Sequence, residues 1–213
     1  ANSGVISWVP DNAQVGDTTV TVVVSDGWGG SDQQTFTVTV TNVNDTPQIT
    51  WTPVTSTNED SLYDETVTAT DVDAGETLTW SLPAAPAGMS IAGATGQLTW
   101  TPDNADVGDH AVTVRVTDGV GAYDEVSYTL SVTNVNDAPQ ITWTPVTSTV
   151  EDSLYDETVT ATDVDAAEAL TWSLPVAPAG MNIAGATGQL TWTPGNADVG
   201  DHAVTVRVTD GVG

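Results

Sequence analysis

In the run Ala111 to Asp118, Val112, Val114 and Val116 alternate with Thr113, Arg115 and Thr117. A strand laid there turns three valines to one face and polar side chains to the other. The same period of two recurs over Glu65 to Thr70, with Val67 and Ala69 inward, over Leu78 to Leu82 with Trp80, and over Leu98 to Thr101 with Trp100. It returns over Val126 to Val132, with Tyr128 and Leu130, and Gln48 to Trp51 supplies a further strand. Turn formers such as Asp118-Gly119, Ala74-Gly75, Pro86-Ala87-Gly88 and Thr95-Gly96 separate these runs, and no window carries a helical period. About seven strands in roughly 90 residues predict an all-β chain of seven-stranded Greek-key β-sandwiches. Trp80 and Trp100 fall in phase with Leu78 and Leu98 and are expected in the core between two sheets. Trp51 follows Ile49 in phase and precedes Pro53, so it is expected on an edge strand, in a structural role before a sugar-stacking one. Trp28, in the turn Asp26-Gly27-Trp28-Gly29-Gly30, is expected to be exposed and is the best lone candidate for a ligand-facing aromatic.

The strand pattern is itself repeated. Thr46 to Gly121 returns as Ala138 to Gly213, offset by 92 residues, with seven substitutions over 76 positions. A more divergent copy stands at the start, where Asp11-Asn12-Ala13-Gln14-Val15-Gly16-Asp17 lies 92 residues before Asp103-Asn104-Ala105-Asp106-Val107-Gly108-Asp109. A unit of this length exceeds a solenoid repeat and suits an independently folding domain. The expected organisation is the carboxy-terminal half of a repeat over 1–45, a complete repeat over 46–137, and a repeat over 138–213 that lacks its last strand. The phase of the copies reads as a window on a longer array.

Charge narrows the partners. Asp and Glu number 29 against two arginines, Arg115 and Arg207, lysine is absent, and the formal net charge is -27. Nucleic acid and anionic lipid are thereby excluded as partners, because their phosphates are recognised by clustered Lys and Arg. A bound cation is the natural counterweight, and folding is expected to depend on ions. With no cysteine there is no disulfide or thiolate site, and with no lysine there is no Lys to Asn isopeptide staple. No apolar run reaches the ~20 residues that span a bilayer, so membrane insertion is not expected.

Three groups of oxygen ligands recur with the period. They are Asn-Val-Asn-Asp (Asn42 to Asp45, Asn134 to Asp137), Asp-Val-Asp (Asp71 and Asp73, Asp163 and Asp165), and Glu-Asp (Glu59 and Asp60, Glu151 and Asp152). Carboxylates and amides gathered in turns suit calcium, which takes about six to eight oxygens, better than magnesium with its fewer and stricter ligands. Solvated acidic loops, with Asn and Asp present as turn formers, are the alternative for any single pair.

Glu59, Thr66-Val-Thr-Ala-Thr-Asp-Val-Asp73, Thr95-Gly96-Gln97-Leu98, Val116-Thr-Asp-Gly119 and Asn134-Val-Asn-Asp-Ala-Pro139 together resemble a cadherin repeat. Leu98-Thr-Trp-Thr-Pro102, Asp106-Val-Gly108 and the linker Val-Asn-Asp-Ala-Pro are more closely similar to the bacterial dystroglycan-type cadherin-like repeats of large surface adhesins. The resemblance covers the whole chain. It implies calcium between successive domains, held by an early Glu and the linker of one repeat with the Asp-x-Asp of the next. Carried over, one junction uses Glu59, Asn136, Asp137, Asp163, Asp165 and Asp210, and the other uses Asn44, Asp45, Asp71, Asp73 and Asp118. The chain departs from animal cadherins at their Asp-Arg-Glu element, where it carries Thr101-Pro-Asp-Asn104, and no strand-swap tryptophan is assigned.

Carboxylates crowded at a hinge repel one another until a divalent ion neutralises them, so calcium is expected to turn the hinge into a rod. The leading expectation is a calcium-rigidified extender, secreted or on the cell surface, whose partners are neighbouring repeats of the same or like chains. The alternatives are a polysaccharide-binding module that uses Trp28 and Trp51, and a fibre subunit in which Gln34 to Thr41 of one chain completes the third repeat of another. Catalysis is not expected. His110 and His202, beside Asp109 and Asp201, lack a nucleophile or third partner, and the first copy has Thr18 at that place.

Overall fold

A computed structural model describes residues 3–73, 75–165 and 169–211. Ala74 of the Ala74-Gly75 turn, and Ala1 and Gly213 at the ends of the repeat frame, lie outside the described residues. Apart from three short 3-10 turns at Asn12–Gln14, Asn104–Asp106 and Asn196–Asp198, every described element is a strand. The chain divides into two compact units. Unit 1 comprises Ala1–Thr57, Ser61–Thr101 and Gly108–Ser131, and unit 2 comprises Asn58–Asp60, Pro102–Val107 and Val132–Gly213.

The first copy is a hairpin of β1 (Gly16–Ser25) and β2 (Ser31–Val40), antiparallel in continuous register from Gly16 opposite Val40 to Ser25 opposite Ser31. Asp26 closes it, one carboxylate oxygen accepting from Trp28 N at 2.8 Å and from Gly30 N at 3.0 Å. The middle copy contains β3 (Gln48–Ile49), β4 (Ser56–Asn58), β5 (Tyr63–Thr66), β6 (Ala69–Thr70), β7 (Thr79–Ala84), β8 (Ser90–Ile91), β9 (Gln97–Trp100), β10 (Gly108–Thr117) and β11 (Tyr123–Thr133). They form a four-stranded sheet in the order β4-β11-β10-β7, a three-stranded sheet β5-β9-β8, and the pair β3-β6.

The strands expected from alternation are present, and two of them are broken. Thr50 N and Trp51 N both donate to Thr68 O, at 2.8 and 3.2 Å, so the chain stays beside β6 until Pro53, which has no N–H to continue a ladder. The run Glu65 to Thr70 splits between β5 and β6 because Val67 N turns to Gly96 O at 2.9 Å. That turn requires a glycine: Gly96 sits at φ +71°, and a Cβ there would lie 2.6 Å from Val67 O and 2.9 Å from Trp80 Nε1.

The third copy repeats the plan with β12 (Gln140–Ile141), β13 (Tyr155–Thr158), β14 (Ala161–Thr162), β15 (Thr171–Val176), β16 (Asn182–Ile183), β17 (Gln189–Trp192) and β18 (Thr205–Thr209). Here, among the described residues, β18 pairs with β15.

The expected inward residues are inward. Leu98, Val112, Val114, Val116 and Leu130 have no exposed surface, and Trp80 and Trp100 are buried. Burial of this apolar area is the main stabilising term. Trp51 is half-buried, edge-on to Tyr128 with ring centroids 5.6 Å apart, and its indole N–H donates to Glu65 at 3.2 Å. The Tyr63 hydroxyl donates to Val54 O at 2.8 Å, and burial raises its pKa above the ordinary value. In unit 2 the corresponding core is Val159, Trp172 and Leu190.

Candidate metal centre

Each linker runs through a ring of polar side chains, and in unit 2 the ring closes around three successive residues. Val135 N donates to Glu59 Oε1 at 2.6 Å. The Asn136 amide nitrogen donates to Asp210 Oδ2 at 3.0 Å and to Asp137 O at 3.1 Å. Asp137 N donates to Asp165 Oδ2 at 2.6 Å, and Asp165 N donates to Asp163 Oδ1 at 3.0 Å. Asn136, Asp137, Asp163, Asp165 and Asp210 are therefore joined in one hydrogen-bonded cluster, and Glu59 holds the adjoining linker residue Val135.

Local backbone geometry places the anchors. Asp60 adopts a left-handed φ of 57°, which Asp tolerates better than most residues, and its N–H donates to Pro102 O at 2.8 Å. Asp152 repeats this with φ 61° and a bond to Pro194 O at 2.7 Å. The Glu-Asp pair thereby divides its labour: Asp60 is exposed in the turn, and Glu59 is driven inward with no exposed surface.

Unit 1 repeats the ring. Asp45 N donates to Asp73 Oδ2 at 2.7 Å, Asp73 N to Asp71 Oδ1 at 2.9 Å, and the Asn44 amide to Asp118 Oδ2 at 2.9 Å. Asp118 is fully occupied here. Its second oxygen accepts from Val120, Gly121 and Ala122 N at 3.0, 2.7 and 2.8 Å, which shapes the Asp-Gly turn between β10 and β11. The hydrogen bond from Asn44 holds its carboxyl below the usual carboxylate range, helped by the three backbone donors and opposed by burial.

Five other carboxylates are not fully occupied. Glu59 Oε2, Asp71 Oδ2, Asp73 Oδ1, Asp163 Oδ2 and Asp165 Oδ1 are buried and have no hydrogen-bond partner. Glu59, Asp73 and Asp165 are at most 5% exposed. Buried carboxylate oxygens left without a donor are costly, by several kcal/mol for a charge of which a partner has been removed. Among the described residues no ion pair reaches them. Lysine is absent, and Arg115 is engaged on β10 by Glu125 at 2.7 Å while its guanidinium covers the Tyr123 ring at 4.2 Å. Among the described residues no three His, Asp or Glu side chains gather as a closed cage. Carboxylates and Asn amides instead line the linker, and oxygens of these two kinds suit a hard divalent cation.

Two residues of the rings were not expected from the sequence. The Asn104 amide nitrogen donates to Asp137 Oδ2 at 2.8 Å, and Asn12 makes the same bond to Asp45 Oδ2 at 2.7 Å. The signal was available in the Asn-Ala that recurs in each copy, after Asp in the first two and after Gly195 in the third, but an Asn after Asp also reads as a helix cap. In the third copy Asn196, with its amide oriented to satisfy both atoms, donates to Glu151 at 2.6 and 3.3 Å.

The other candidates have structural surroundings. His110 and His202 lie edge-on to Trp100 and Trp192, with centroids 5.1 and 5.3 Å apart, and His202 Nε2 is 2.7 Å from Asp198 O. Trp28 is 94% exposed. No helix among the described residues is long and apolar enough to cross a membrane.

Solved structures share this fold at low identity. A human CDH23 fragment, EC21-23, is 23% identical with a TM-score of 0.60, covering 91% of this chain and 72% of that one. The EC1-4 region of PcdhgB3 gives 16% identity and a TM-score of 0.61, covering 96% and 55%. The extracellular domain of protocadherin gammaB4 gives 20% identity and a TM-score of 0.55, and this chain spans 96% of its own length and only 38% of that chain. No curated protein matches the sequence. The Putative Ig domain family matches residues 1–41, 45–133 and 138–213, nearly the whole length in three successive segments. The chain belongs to the Putative Ig domain family, in a cadherin-like all-β form.

Proposed function

We propose that this chain is a stretch of an extracellular array of Ig-like repeats whose linkers are stiffened by calcium, and that it works as a spacer in a large surface adhesin or filament. The observation that carries this reading is the set of buried carboxylate oxygens without partners, in both units, around linkers of the same sequence. Glu59, Asn136, Asp137, Asp163 and Asp165 hold the ion in unit 2, and Asn44, Asp45, Asp71 and Asp73 hold it in unit 1. Asp118 and Asp210 anchor the linker through Asn44 and Asn136. The ion supplies positive charge that no side chain of the protein provides at these places.

The remaining steps belong to the chain. Linker N–H groups already dock on Glu59, Asp73 and Asp165, so little further ordering is needed when charge is neutralised. Calcium is favoured over magnesium because this set mixes several carboxylates with Asn amides, and calcium takes more and less strictly placed oxygen ligands. A sugar-binding reading loses Trp51, which is spent on Tyr128 and Glu65, and keeps Trp28 alone.

The test is a thermal melt of the whole protein in millimolar calcium and in excess chelator, joined to small-angle scattering. A midpoint rise of more than about 5 °C, equivalent to roughly 1 kcal/mol or more for a domain of this size, together with a longer and stiffer particle, supports the spacer. Equal midpoints and equal scattering refute it.

A further inference from the structure

We propose that Asn104 and Asn12 are positioning residues of the ion sites. Each fixes one oxygen of the linker aspartate through an uncharged donor, so that the carboxylate faces the ion in a single orientation with its charge intact. The proposal rests on the ion-binding reading above.

Asp137 is held from two directions. Its backbone N–H is committed to Asp165 Oδ2 at 2.6 Å, and its Oδ2 is committed to the Asn104 amide at 2.8 Å. The carboxylate rotor is thus stopped, and Oδ1 is the oxygen left to the ion. Asp45 stands in the same relation to Asp73 and Asn12, at 2.7 Å on both sides. The two occurrences lie in different units and in copies that otherwise diverge, so one arrangement serves two linkers.

The donor is itself braced. Asp103 Oδ1 accepts from Ala105 N at 2.9 Å while Asp103 N donates to Asp106 Oδ2 at 3.1 Å, which locks the three-residue turn that presents Asn104. Asp11 and Gln14 lock the turn of Asn12 in the same way, at 3.0 and 2.9 Å. The choice of an amide follows from charge. Lysine or arginine at position 104 would orient Asp137 and also neutralise it, removing the attraction for an ion. Aspartate there would add a further negative charge beside Asp137. Asparagine orients the carboxylate and leaves its charge unchanged.

The experiment is a calorimetric calcium titration of the whole chain, wild type against Asn104→Ala, Asn12→Ala and Asn104→Asp, with melts in chelator alongside. Loss of a group that orients a ligand costs about 10- to 100-fold in metal affinity. Asn104→Ala is expected to weaken one site by that factor and Asn12→Ala the other, with chelator midpoints within about 2 °C of wild type, as for surface changes. Asn104→Asp is expected to melt lower than wild type in chelator and to recover in calcium. Unchanged affinity in both alanine variants, or lowered chelator midpoints as their sole effect, overturns the positioning role while leaving the ion reading intact. A wild type that takes up no calcium overturns both.

Discussion

Replacing Glu59 by Gln separates the two roles that its carboxylate can play. The side chain has no exposed surface, Oε1 accepts from Val135 N at 2.6 Å, and Oε2 has no partner. Glutamine keeps the volume and an acceptor for Val135, removes the charge, and adds a donor. In chelator the variant is therefore expected to be more stable than wild type by about 1 to 3 kcal/mol, the cost usually attached to one unsatisfied buried polar group. At about 4 to 8 °C per kcal/mol for a domain of this size, the midpoint rises by at least about 4 °C. In calcium the order of gains reverses. Wild type at a hundredfold excess over Kd gains about 2.7 kcal/mol, whereas a variant bound tenfold more weakly gains only about 1.4 kcal/mol. The assay is a pair of melts, with and without calcium, on both proteins. If Glu59→Gln melts lower in chelator and gains as much from calcium as wild type does, Glu59 is an acceptor for the Val135 amide and nothing more.

Gly96→Ala forces a Cβ into Val67 O at a φ of +71°, and is expected to cost at least about 2 kcal/mol in urea melts, whereas Gly121→Ala, with nothing within 4 Å, pays only the backbone strain. Val114→Ala removes methyl groups from a site with no exposure and is expected to cost about 2 kcal/mol, clearly more than Val206→Ala at the half-buried equivalent position, as judged by the separate transitions of the repeats. The pKa of Asp118 is lowered in the folded state, so its contribution is complete above the ordinary value of 3.8 and is lost as pH falls through the folded value. An acid titration followed by NMR should show the turn after β10 and Asn44 loosening together below that pH, and Asp118→Asn should remove the transition. Independent behaviour of Asn44 would contradict the bond between them.

Much of this molecule is legible in the chain. The two-residue period at Val112, Val114 and Val116 fixes which side of β10 is buried, because a strand has only two faces. The 92-residue offset identifies equivalent positions, and the acidic groups at the linkers could be named because carboxylates must avoid one another or share a cation. The exposure of Trp28 and the burial of Trp80 and Trp100 also followed from turn chemistry and strand phase. Other features needed the third dimension. That Asp118 is saturated by three backbone donors while Asp73 keeps a bare oxygen depends on where the chain turns, and both are Asp in an acidic stretch. Asn12 and Asn104 reach carboxylates 33 residues away, a distance over which no periodicity operates.

The sharpest case is a single sequence in two settings. Gly108 to Thr117 and Gly200 to Thr209 are the same ten residues, yet the first forms the ten-residue strand β10 and the second only the five-residue strand β18. Val112 has no exposed surface and Val204 is 40% exposed. The alternation is identical, so it determines which face would be buried. Among the described residues β10 has β7 on one side and β11 on the other, β18 is paired with β15, and the strand with two neighbours is the longer one. Strand hydrogen bonds are made between chain segments, so the sequence of one segment can specify its pattern, and only the packed partner can complete it.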